Sequence, residues 1–129
     1  MGKIEKIVKS LLVETNSIKA LCKEQHIEVI KTDIETEGLC LICFNSKFII
    51  INDSLSELSE DFVICHELGH INLHDNSLIY LREHAFFSGD KLENEADIFS
   101  INMLMNLNKN YEIESEKDLE IIEQINKLK

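Results

Sequence analysis

His66-Glu67-Leu68-Gly69-His70 sets two imidazoles four residues apart, with a carboxylate beside the first. On a helix, residues four apart lie on one face a single turn along the axis, so both rings can reach one ion. Glu67 then stands near the water that such an ion holds and can take its proton. Zinc suits this donor set, and it lowers the pKa of its water to about 7, which supplies a nucleophile at neutral pH. The expected chemistry is hydrolysis. His66 and His70 bind zinc, and Glu67 is the general base and later the proton donor. The plain alternative is a pair of histidines on an exposed helix face.

A catalytic zinc usually has three protein ligands and one open position. The candidates for the third are His74, His84, Glu93 and Glu95. On an unbroken helix His74 lies about 12 Å along the axis from His66, too far for both to reach one ion. Its expected role is a polar residue at the helix end. Glu93 opens the next apolar-periodic segment, and Asp97 follows one turn later on the same face. That pairing makes Glu93 the favoured metal ligand. Asp97 can accept the free ring N–H of a ligating histidine and fix its tautomer. Glu95, two residues on, faces away. Tyr80, Arg82, His84 and Tyr111 all stay open as stabilisers of a developing oxyanion.

The elements that must position these groups read as α+β. Residues 3–23 carry apolar side chains at helical spacing. Residues 27–52 form three β-rich runs separated by Glu37-Gly38 and Asn45-Ser46, which suggests an antiparallel meander of about three strands. Its last run, Phe48–Ile51, could line a substrate cleft, although four consecutive apolar residues equally suit plain core. Ser54-Leu-Ser-Glu57 fits a capping box that starts a helix running to about His74. A shorter helix is expected over 77–87. Asp90-Lys-Leu-Glu93 caps the next helix, striped by Leu92, Ala96, Phe99, Met103 and Leu107, and Ser115 caps a last one. The expectation is one domain over 1–129, a small sheet packed with four to five helices.

The chain has 129 residues, with 13 Lys plus Arg against 24 Asp plus Glu and a net charge of −11. That balance argues against direct nucleic-acid binding. No apolar run approaches the roughly 20 residues of a membrane helix. The N-terminus MGKIEKIVKS lacks a compact apolar block, so the expected compartment is the cytoplasm. Cys22, Cys40, Cys43 and Cys65 then read as small buried hydrophobes. In the Cys40-Leu-Ile-Cys43 run, positions three apart on a strand point to opposite faces, which disfavours a metal knuckle.

The run Phe62-Val-Ile-Cys-His66-Glu-Leu-Gly-His70-Ile-Asn-Leu-His74, with Glu93-Asn-Glu-Ala-Asp97-Ile-Phe99 and Leu104-Met105 downstream, resembles the ImmA/IrrE family of metallopeptidases. These small bacterial and phage-element proteins carry an HELGHxxLH helix and a later ExEA(N/D)xFAxxLLMP helix, and the resemblance covers roughly residues 47–107. It implies a zincin-like fold and a gluzincin-like zinc site. It also implies a helix-turn-helix repressor as protein substrate, and control of a mobile element or a stress response. Two positions depart from the pattern: Ser100 replaces the usual Ala, and Asn106 replaces the terminal Pro. The competing function is a non-catalytic anti-repressor that binds and sequesters a DNA-binding regulator, which an acidic surface would suit.

Overall fold

A computed structural model describes residues 2–43, 45–74 and 90–129, and the backbone of 80–83. Among these the chain order is α1 (Lys3–Leu11), α2 (Ile18–Glu24), β1 (Ile27–Thr32), β2 (Gly38–Cys43), β3 (Ser46–Asn52), α3 (Glu57–Leu73), β4 (Tyr80–Glu83), α4 (Lys91–Leu107) and α5 (Glu116–Leu128). The α+β class is as expected. The apolar stripe over 3–23 belongs to two helices rather than one. Residues 12–17 interrupt it, and Ser17 restarts the chain as a helix by accepting a hydrogen bond from the Ala20 N–H. His26, at φ 60°, then turns the chain from α2 into β1.

The sheet corrects the antiparallel expectation. Its order is β1-β3-β2-β4, and β1 runs parallel to β3, pairing Ile27 with Lys47 through Thr32 with Asn52. β2 is antiparallel to both β3 and β4. The cause lies in residues 33–37, which carry the chain over the end of β3 instead of folding β2 back onto β1. Asn52 holds that crossing. Its Nδ2 donates to the carbonyls of Ile34 (2.8 Å) and Thr36 (3.3 Å), and its N–H donates to that of Glu37 (2.9 Å). β3 therefore has a strand on either side, so Phe48–Ile51 has no free edge to offer an extended peptide. Residues 80–83, expected to be helical, are a strand, because pairing with β2 outweighs weak local helix propensity. The remainder of the 77–87 expectation lies outside the described residues.

α3 is the centre of the molecule. Phe62 through Ile71 are buried without interruption, as befits a helix covered on every side. The sheet covers one side through Cys40, Ile42, Ile49 and Ile51, and α4 and α5 cover the others. The helix starts two residues later than the capping box suggested. Ser56 is the cap and accepts from the Ser59 N–H, while the Ser54 hydroxyl donates to Asn52 Oδ1. All four cysteines are free thiols. Cys40 is buried on one face of β2 and Cys43 half-buried on the other, and burial pushes the Cys22 thiol up to about 11.

Asp118 of α5 fastens the start of α3. Its Oδ1 accepts from the hydroxyls of Ser56 and Ser59, both at 2.6 Å, and its Oδ2 accepts from the Glu114 N–H at 2.9 Å. Burial alone would raise this carboxyl, but the donors outweigh it and hold it below the usual aspartate value. A depressed carboxylate stabilises the fold above its unfolded pKa of about 3.9, and that contribution drains away as pH falls towards the folded value. Asp118→Ala takes the acceptor from three donors, of which the Ser59 hydroxyl is buried and the other two are partly so, and thermal denaturation at neutral pH is expected to show a loss of about 1–3 kcal/mol. The penalty should shrink below pH 4, and a variant as stable as wild type would contradict this account.

Candidate metal centre

Two helices build the site. α3 supplies His66, Glu67 and His70, and α4 supplies Glu93 and Asp97. Asp90 starts α4 by accepting from the N–H groups of Leu92 and Glu93, which puts Glu93 in the first turn. The two helices pack closely at Gly69. A Cβ there would meet Ala96 Cα and Phe99 Cβ at 3.1 Å, so glycine sets the approach that brings Glu93 to the histidines. Ser100 accounts for one departure from the family pattern: its hydroxyl donates to the buried Phe62 carbonyl at 2.7 Å and ties α4 to α3. Without the terminal Pro, α4 runs on through Asn106 and closes at Asn108, in the left-handed conformation that asparagine tolerates.

His66, His70 and Glu93 are brought together, each offering a ligand atom within 4.8 Å of the others, and all three are buried. His66 Nε2 lies 3.2 Å from His70 Nε2 and 3.6 Å from Glu93 Oε1, and Glu93 Oε1 touches His70 Nε2. Two nitrogens held about 2.05 Å from a tetrahedral ion stand about 3.3 Å apart, so the spacing of the two histidine nitrogens suits a shared metal ion. Glu67 is fully buried alongside and Asp97 nearly so. Three carboxylates thus crowd two imidazoles in the interior, an arrangement that calls for positive charge, either as protons on the rings or as a divalent cation. His66 registers this demand. Burial works against its protonated form, but Asp97, Glu93 and Glu67 outweigh burial and raise its pKa.

Asp97 Oδ1 lies 2.8 Å from His66 Nδ1 and accepts its N–H when Nε2 serves as a metal ligand. His74 is outside the triad. It is the C-cap of α3, where the chain turns extended, and its Nδ1 meets His70 Nδ1 at 3.0 Å. Glu95 is outside it too, with Oε1 3.3 Å from His74 Nε2. Spacing alone put both residues aside. The missed signal is that a residue at a helix end can fold its side chain back over the last turn. Tyr111 donates to Asp61 Oδ2 at 2.6 Å, more than a turn before His66, so it is not brought to the triad. His84 and the side chains of Tyr80 and Arg82 lie outside the described residues.

The family model described as the IrrE N-terminal-like domain, a peptidase family, matches residues 22–123. That span runs from within α2 to within α5 and takes in the whole site. An "Uncharacterized immunity region protein 2" of Bacillus phage phi105 is 39% identical over 61 residues, which is 46% of this chain and 39% of the relative. The chain thus spans well under half the length of that relative. No solved structure matches the chain. Among the described residues, no helix is long and apolar enough to cross a membrane.

Proposed function

The chain belongs to the peptidase family of the IrrE N-terminal-like domain, and on that premise we propose that it is a zinc-dependent endopeptidase of the cytoplasm. Its substrate is a regulatory protein, a helix-turn-helix repressor of a mobile element or stress response. One observation carries the reading: two imidazole nitrogens and a carboxylate oxygen from two helices converge, buried, and the buried Glu67 next along α3 is close enough for its charge to act on His66. The phage immunity-region relative supports a role in the control of a mobile element.

His66, His70 and Glu93 would hold the zinc and leave one position open. Bound there, zinc supplies Lewis acidity and a water acidified to about pKa 7. Glu67 takes the proton from the attacking water and passes it to the departing amide nitrogen. Asp97 keeps the His66 proton on Nδ1, so that Nε2 stays free to bind metal. β4 leads from one site helix to the other and, among the described residues, pairs with β2 alone. Its outer edge is the natural place for an extended substrate to add as a strand. The net charge of −11 suits a basic DNA-binding partner, which sequestration would require equally. A buried carboxylate beside the metal position favours hydrolysis over sequestration. Elemental analysis of protein saturated with zinc and then desalted should find one zinc per chain, and protein without zinc would overturn the reading.

A further inference from the structure

His74 leaves the helical path at φ −116° and ψ 161°, and its ring faces the last turn of α3. Its Nδ1 lies 3.0 Å from His70 Nδ1, and its Nε2 lies 3.3 Å from Glu95 Oε1. Two imidazole nitrogens in contact need one proton between them, so one donates and the other accepts. His70 turns its Nε2 to the triad, where a protonated nitrogen could not bind a metal. With metal bound, His70 therefore carries its proton on Nδ1 and donates it to His74. A neutral His74 that accepts at Nδ1 carries its own proton on Nε2, the atom beside the Glu95 carboxylate. The run of bonds from His70 through His74 to Glu95 is thus consistent in one direction only.

Resting on the zinc reading above, we propose that His74 is a positioning residue for His70, fixing the tautomer and rotation of that ring, and that Glu95 holds His74 in turn. The two histidine ligands are then supported differently. His66 donates directly to a buried aspartate, whereas His70 reaches a half-exposed glutamate through a second imidazole. Neither His74 nor Glu95 touches the metal position, so both act on the orientation of a ligand and not on ligand number.

Zinc affinity, read by competition with a chromophoric chelator, tests this in the wild type, His74→Phe, His74→Asn and Glu95→Ala. His74→Phe keeps a ring and removes the acceptor, so zinc should bind about 10–100-fold more weakly. His74→Asn offers an amide oxygen to His70 Nδ1 and should restore most of the loss, which a role in packing alone would not predict. Glu95→Ala changes a half-exposed side chain, so folding should survive, and a smaller loss in the same direction is expected. In zinc-loaded, 15N-labelled wild type, His70 should show a proton on Nδ1. Wild-type affinity in both His74→Phe and Glu95→Ala would overturn the proposal, as would His74→Asn binding as weakly as His74→Phe. Should His74→Phe fail to fold, Glu95→Ala decides alone. A wild type that takes no zinc overturns the metal reading itself, and the proton direction with it. Zinc bound equally by wild type and variants overturns only the role of His74.

Discussion

Glu67→Gln is expected to keep one zinc per chain and to lose repressor cleavage by about 10²–10⁴-fold, the usual worth of a positioned general base. The substitution preserves size and hydrogen-bonding capacity and removes only the group that carries the proton. Glu67 lies on α3 between the two histidines, fully buried, and the triad is complete without it. Zinc content, measured on the same preparation as the cleavage rate, separates the outcomes. Loss of metal together with activity would make Glu67 a ligand or a structural residue. Full cleavage by the variant would remove it from the mechanism.

Glu93→Gln should cost zinc affinity more than any substitution outside the triad. Asp97→Asn is the measure against which to set it, because partners that orient a ligand are worth about 10–100-fold in metal affinity. An amide oxygen is a poor substitute for the anionic ligand, and the loss of charge removes attraction for a divalent ion in a buried site. The same change relieves crowding among the three carboxylates, so metal-free Glu93→Gln should melt no lower than metal-free wild type while gaining far less from added zinc. Thermal denaturation with and without a chelator reads both effects. Equal zinc stabilisation in Glu93→Gln and wild type would take Glu93 out of the site.

The motif, its helix and the paired carboxylates were legible because each is a local pattern. Four-residue spacing fixes which side chains share a face of α3, and Asp90 with Glu93 marks the start of α4. The sheet was not legible in the same way. Nothing local to β1 says that β3 will lie beside it, since the deciding interactions are the hydrogen bonds from Asn52 to a linker sixteen to eighteen residues earlier in the chain. The Tyr80–Glu83 segment is a strand because β2 presents an edge to it, which no window of sequence contains. His74 shows the limit within a single helix. Helical spacing sets it a turn too far along α3 to join His66, but the turn of the chain at the C-cap sends its ring to His70. Gly69 is similar: a glycine inside a helix reads as a weakness, and the close approach of Ala96 and Phe99 supplies its reason.

Whether this protein cuts its partner or only holds it is decided by the intact mass of the partner. The zinc-loaded chain would be incubated with a helix-turn-helix repressor encoded beside it, and the mixture read by mass spectrometry next to a Glu67→Gln control. The expected result is two repressor fragments, with masses that sum to that of the intact chain plus one water, formed by the wild type and nearly absent with the variant. An intact repressor, bound equally by both proteins while repression is relieved, would contradict it.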